Sequence, residues 1–145
     1  MKFLIVVSDY YKGISSGLLS GASDVLNSKK IEFDTLLVPG AFEIPLAISC
    51  KIKANKGIYD GYIALGCIIK GQTYHFELIS NESIRAISSL MLKHSLPIGY
   101  GIITCYNMDE AKERSGKNNK NKGAEAAIAC VNMQKICRNI NLISS

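Results

Sequence analysis

Residues 65–77, LGCIIKGQTYHFE, set two glycines, a lysine, an amide, a hydroxyl and an imidazole between an apolar run and a helical pattern. A strand-to-helix turn of this kind can hold an anion, because the first N–H groups of a helix lack intrahelical partners and point outward. Gly71, Gln72 and Thr73 supply such a turn, with backbone amides free to face a phosphate. His75, at the helix start, can accept or donate a proton near neutral pH. A histidine at that position can equally do no more than cap or pack the helix end. Lys70 suggests a Schiff-base amine, but the sequence sets no second cation beside it to activate it.

For the turn to work as a site, the rest of the chain must bring partners to it. Residues 3–8, FLIVVS, are apolar on both faces, as in a central parallel strand. The spacing then predicts a helix over 14–28 with Ile14, Leu18, Ala22, Val25 and Leu26 inward, and glycines 13, 17 and 21 letting it lie close to the sheet. A strand over 31–38 stops at Pro39-Gly40. A helix opened by Glu43-Ile44-Pro45 runs to about Asn55, proline being tolerated in a first turn. The third strand covers 62–68, and a long helix spans 75–94 until Pro97 blocks its continuation. The fourth strand, 98–104, leads to Asn107 as N-cap of a short helix over 108–115. After the basic run 116–123, a last helix covers 124–139 with Ala127, Ile128, Val131 and Ile136 inward. Strand and helix alternate four times. The expected architecture is therefore an α/β three-layer sandwich with a four-stranded parallel sheet in the order 2-1-3-4, flavodoxin-like, in a single domain over 1–145.

In such a sheet, ligands sit beyond the carboxyl ends of the strands, where the order reverses between strands 1 and 3. Asp9-Tyr10-Tyr11, Gly40-Ala41-Phe42-Glu43 and the 70–75 turn are all expected there. Tyr10 and Phe42 could stack on a planar heterocycle, although aromatics are more often simply core. Glu43 could accept from ligand hydroxyls or merely favour its helix dipole. Arg114 with lysines 117, 120 and 122 forms a second basic cluster, which is also what a solvated loop looks like.

Composition removes several other readings. The chain has 145 residues, 48% hydrophobic and 20% charged, enough for one ordinary core, and its net charge of +5 suits an anionic small molecule as readily as a nucleic acid. Neither G-x-G-x-x-G nor G-x-x-x-x-G-K-[ST] occurs, so the common dinucleotide and P-loop nucleotide signatures are missing. The five cysteines form no C-x-x-C pair and accompany only two histidines. They read as small buried thiols in a reducing cytosol, with neither a metal site nor a disulfide framework expected. The run after Lys2 is too short for a signal peptide, no stretch approaches the ~18 apolar residues of a membrane span, and a cytoplasmic protein is expected.

The segments LLSGASD (18–24), VPGAFEIP (38–45), LGCIIKGQTYHFE (65–77), NE (81–82) and the ER-x-G…NKG pattern (113–123) resemble the lumazine synthase family, in order and at ordinary spacing, from Ile5 to about Asn132. The resemblance implies the penultimate step of riboflavin biosynthesis, carried out without a cofactor. A ribitylaminouracil amine attacks the ketone of 3,4-dihydroxy-2-butanone 4-phosphate, the imine loses phosphate, and ring closure with loss of water gives 6,7-dimethyl-8-ribityllumazine. On the same basis Tyr10 takes the place of the stacking aromatic, Ala41, Phe42 and Glu43 match the ribityl-binding stretch, and Cys67, Ile68 and Ile69 match the backbone along the pyrimidine edge. Gln72 and Thr73 match the phosphate turn, and His75 the proton-transfer residue. Tyr100 and the phosphate arginine Arg114 match residues that a neighbouring subunit contributes, with Lys122 and Glu125 near the same interface. The resemblance thus implies a homo-oligomer built from pentamers, two small-molecule substrates, product channelling to riboflavin synthase, and no nucleic-acid or membrane partner.

The chain also departs from the family pattern. Tyr11 stands where asparagine is usual, Lys70 where arginine is frequent and Asn118 where lysine is frequent, with Lys117 and Lys120 able to compensate in charge. Only Met1 and Lys2 precede the first core strand, whereas many members carry a further N-terminal strand. Two alternatives to an enzyme remain open from sequence: a flavin-binding or shell protein that kept the pocket but lost turnover, and a phosphate-binding regulator or RNA-binding domain using the run 114–122. A short basic loop without interleaved aromatics is a weak nucleic-acid footprint.

Overall fold

The computed structural model describes residues 1–54 and 56–144, with the side chains of 142–144 set aside. The chain folds as β1 (Lys2–Ser8), α1 (Lys12–Ser28), β2 (Glu32–Val38), a 3-10 turn (Ala41–Glu43), α2 (Ile44–Ala54), β3 (Gly61–Ile69), α3 (His75–His94), β4 (Ile98–Cys105), α4 (Met108–Ser115) and α5 (Lys122–Ser144). The strands form one parallel sheet in the order β2-β1-β3-β4. With helices on both faces, this is the expected three-layer, flavodoxin-like arrangement. The expected end of the second helix, at Asn55, lies outside the described residues. The last helix starts two residues earlier than its apolar pattern does, at Lys122 rather than Ala124, and runs on to Ser144.

The central strands are buried on both faces because each faces a helical layer on either side. Phe3, Ile5 and Val7 of β1 join Leu18, Ala22 and Leu26 of α1 and Ala127 and Val131 of α5 in one core cluster. Leu4 and Val6 join Ile44 and Ile48 of α2 and Ile87 of α3 in the other. Each valine, leucine, isoleucine or phenylalanine among them contributes about 1.5–3 kcal/mol on leaving water. Three of the five free cysteines, Cys67, Cys105 and Cys130, are buried as expected, Cys137 is half-buried, and Cys50 is exposed, contrary to expectation.

The inner face of α5 differs from the expected one. Ala127 and Val131 face inward as expected, but Ile128 and Ile136 are 43% and 48% exposed, and Gly123, Ala126, Cys130 and Gln134 are buried in their place. The helix backbone lies directly on β4: a Cβ at Gly99 would collide with the carbonyl oxygen of Ala126. So close a seat admits small side chains, and the isoleucines are rotated to the flanks. The glycines of α1 also act differently from expectation. Gly17 and Gly21 make room for Ser115 and Asn121 at the α4–α5 connection rather than for the sheet, while Gly13 has open space around it.

That connection is held by a residue the basic run conceals. Asn121 is 6% exposed. Its Nδ2 lies 3.0 Å from each of the Gly17, Ser115 and Gly116 carbonyls, and its Oδ1 accepts from the Ala124 amide at 3.0 Å. It therefore caps α5 and ties α1 to the end of α4. Asn121→Ala should lower stability by about 1–3 kcal/mol, the range for a lost cap and stranded buried carbonyls. Urea unfolding would show this as a lower midpoint at unchanged slope, and an unchanged midpoint would remove the clasp from the account. At the other end of α4, Asn107 accepts from the Glu110 amide at 2.9 Å, as expected, and Glu110 returns the bond by accepting from the Tyr106 amide at 2.9 Å.

Candidate active site

The carboxyl ends of β1 and β3, the two strands flanking the point where the order reverses, open into a cavity of about 460 Å³. It is lined by Tyr10 and Tyr11 after β1, by Pro39 to Glu43 after β2, by Cys67, Ile68 and Ile69 at the end of β3, and by His75 and Ile79 of α3. Tyr10, Ala41, Phe42, Glu43, Cys67, Ile68, Ile69 and His75 thus come together from four separate stretches, as the sequence led one to expect. Tyr11 and Gly40 line it too, as their places at the strand ends led one to expect, whereas Pro39 and Ile79 were not singled out for the site. Their strand-end or first-turn positions beside the switch point are the signal that could have found them.

The cavity has an apolar floor and an aromatic rim. Cys67 and Ile68 are buried, and Ala41 is 7% exposed. At the rim Tyr10 and Phe42 keep 71% and 61% of their surface exposed, which leaves their ring faces available for stacking. Glu43 closes the 3-10 turn, its amide donating to the Gly40 carbonyl at 3.2 Å. A Cβ at Gly40 would sit 2.8 Å from the Glu43 carboxylate, so glycine lets that carboxylate fold back over the turn. Burial first, then the neighbouring Cys105, pushes the Cys67 thiol up to about 12. Cys67 is therefore a neutral wall group at physiological pH rather than a nucleophile.

The 70–75 turn forms the cavity's outer edge. The Lys70 amide donates to the Cys105 carbonyl at 2.9 Å, which fixes the turn to the end of β4. Its Nζ pairs with Glu77 at 3.2 Å and lies 5.8 Å from the Tyr106 ring centroid. Its own backbone N–H first, and then the Lys70 ammonium, hold the Glu77 carboxyl below the usual range. Lys70 is thus engaged outside the cavity wall, and the geometry gives no support to a Schiff base there. The His75 amide donates to Thr73 Oγ1 at 3.5 Å, a long bond. Gln72 and Thr73 are exposed on the approach to His75 and do not themselves line the cavity.

Three expected residues lie elsewhere on this chain. Tyr100 stands in β4, half-buried with the core cluster that α3 covers, where burial pushes its phenol up. Arg114 lies on α4, one guanidinium nitrogen donating to the Glu110 carbonyl at 3.1 Å and sitting 4.0 Å from Glu113. Lys122 pairs with Glu125 at 2.8 Å at the start of α5. None of the three lines the cavity. Among the described residues no cluster of three or more His, Cys, Asp or Glu could hold a metal ion, and no helix is long and apolar enough to cross a membrane.

Residues 1–138 match the family model described as 6,7-dimethyl-8-ribityllumazine synthase. A 6,7-dimethyl-8-ribityllumazine synthase of Bartonella tribocorum is 47% identical over 135 residues, covering 91% of this chain and 89% of that protein. One from Afipia carboxidovorans is 42% identical over 142 residues, covering 96% and 87%. One from Agrobacterium fabrum is 44% identical over 133 residues, covering 90% of each.

Proposed function

The chain belongs to the 6,7-dimethyl-8-ribityllumazine synthase family, and from that premise we propose that it condenses 5-amino-6-(D-ribitylamino)uracil with 3,4-dihydroxy-2-butanone 4-phosphate, releasing phosphate and water. The observation that carries this reading is the convergence of Tyr10, Phe42, Glu43, Cys67, Ile68 and His75 on one cavity at the switch point. In this reading Tyr10 stacks on the pyrimidine, Ala41, Phe42 and Glu43 hold the ribityl chain, and the β3 end from Cys67 to Ile69 meets the pyrimidine edge. Gln72 and Thr73 receive the phosphate, and His75 moves protons between the two substrates.

The pyrimidine brings its own amine, so the protein need not supply a nucleophile. Its chief task is to hold two molecules in register, which in favourable cases is worth on the order of 7–11 kcal/mol. The cavity is uncharged along its floor, which suits a neutral heterocycle. The phosphate then needs a cation that the cavity itself does not present. We assign that cation to Arg114 of an adjacent subunit, with Tyr100 and Lys122 at the same junction, so that the working unit is a ring of five. Cytoplasmic location, a single domain and hand-over of product to riboflavin synthase complete the reading.

The test is direct. Purified protein given both substrates should form product with lumazine absorbance well above the uncatalysed rate. No acceleration would leave a binding protein that retains the pocket. Within the active enzyme, His75→Ala should lower kcat by about ten- to a hundredfold, at or below the lower end of the usual general acid–base contribution, because the attacking amine is already nucleophilic. Unchanged kcat in that variant would take His75 out of the proton transfers.

A further inference from the structure

We propose that Tyr11 is a positioning residue for the reaction, a fixed partition that holds the Tyr10 ring edge-on and separates the substrate cavity from a second cavity behind it. The proposal rests on the condensation reading above for what Tyr10 does, but its geometry stands without it.

The Tyr10 and Tyr11 rings meet at a centroid distance of 4.9 Å and an interplanar angle of 78°, an edge-to-face pair. The two rings are anchored very differently. Tyr10 is 71% exposed. Tyr11 is half-buried and packs against the core cluster under α1 and α5. Its backbone is fixed as well, since it is the N-cap residue of α1 and its carbonyl accepts from the Ser15 amide at 2.8 Å. An exposed ring without such a neighbour would sample several rotamers and would have to be ordered when a heterocycle stacks on it. Pairing with an anchored ring settles that order beforehand.

Both tyrosines also line a cavity of about 800 Å³ on the other side, between the start of α1 and α4, where Lys12, Lys112 and Lys117 open onto it. The substrate cavity, of about 460 Å³, shares only these two residues with it. Truncating Tyr11 would therefore both release the Tyr10 ring and join the two spaces. Both effects fall on the pyrimidine and not on the phosphate turn, which lies across the cavity beyond β3.

The experiment compares Tyr11→Phe, Tyr11→Leu and Tyr11→Ala. An edge-to-face pair corresponds to a factor of about three to ten. Tyr11→Phe should keep the pyrimidine KM within about twofold of wild type, as it keeps the ring pair. Tyr11→Leu keeps an apolar side chain without a ring, and it and Tyr11→Ala should raise the pyrimidine KM by about three- to tenfold, with the phosphate-substrate KM unchanged. If Leu behaves as Phe does, or if both substrates weaken together, the positioning role is wrong. The ring-proton shifts of Tyr10 in the protein alone, identified with Tyr10→Phe, provide a readout independent of turnover. They should move in Tyr11→Leu and stay in place in Tyr11→Phe, even if the wild-type protein proves to have no activity. Shifts unaffected by loss of the Tyr11 ring would overturn the pairing itself.

Discussion

Arg114→Ala is expected to raise the KM for the phosphate-bearing substrate by about a hundredfold while leaving the pyrimidine KM within a few-fold, because losing one partner of a hydrogen-bonded charge pair costs about 2–5 kcal/mol. The guanidinium's donors account for this. It carries five N–H groups in a planar fork, and one nitrogen is anchored by the Glu110 carbonyl at 3.1 Å. Its acidic neighbour Glu113 stands 4.0 Å away and is held more closely by Lys120, at 2.6 Å. The Lys120 hydrogen bond is also the main reason the Glu113 carboxyl lies below its usual range. Arg114 is thus held in place yet is not neutralised by a tight bidentate partner, and a phosphate can take its fork on two oxygens. Arg114→Lys should recover only part of the loss, since an ammonium cannot make the paired contact. Steady-state kinetics with each substrate varied in turn would check this. Equal weakening of both substrates would indicate a damaged interface instead.

A large loss of stability is also expected at Gly123. A Cβ there would fall on the backbone of Leu18, against its carbonyl oxygen, carbonyl carbon and Cα. No rotamer change can relieve a clash with main-chain atoms, so α5 must move off α1 and open the core cluster beneath. Alanine is favoured over glycine in a helix by up to about 1 kcal/mol, but a forced core shift costs about 1–3 kcal/mol and occasionally more, so the clash wins. Gly123→Ala should lower Tm by roughly 2–8 °C, from a net loss of about 1–2 kcal/mol at about 2–4 °C per kcal/mol for a domain near this size. Gly13→Ala provides the control: Gly13 lies in α1 with nothing within 4 Å of its would-be Cβ, and there the propensity gain should show as a neutral or higher Tm. Equal Tm values for the two variants would contradict the close α1–α5 approach.

The sequence was most informative where chemistry and chain direction coincide. Strand ends in a parallel sheet have one possible side for a ligand, so Tyr10, Ala41 to Glu43 and His75 could be assigned to one cavity from order alone, with Cys67 to Ile69 added by the family resemblance, and the structure brings them together there. What stayed hidden depends on packing distance, which residue type does not encode. Apolar periodicity placed Ala127 and Val131 inward on α5 correctly but Ile128 and Ile136 wrongly, whereas the close seat on Gly99 selects Ala126 and Cys130. Charge dominated the reading of 116–123, yet its working member is the neutral Asn121, buried among three carbonyls from α1 and the end of α4. Tyr11 was read as a departure from a family pattern. Its role follows from a ring pair and two cavities that only the folded chain displays.

The central claim is that the condensation takes place at a site made from two subunits, His75 and the cavity from one and Arg114 from the next. Subunit mixing tests it most directly. His75→Ala and Arg114→Ala proteins would be unfolded together, refolded at equal ratio and assayed with both substrates near their wild-type KM. If the site is shared around a ring, about a quarter of the junctions in the mixture pair an intact His75 with an intact Arg114, and turnover should rise to about a quarter of wild type. Activity equal to the average of the two parent variants would contradict the shared site.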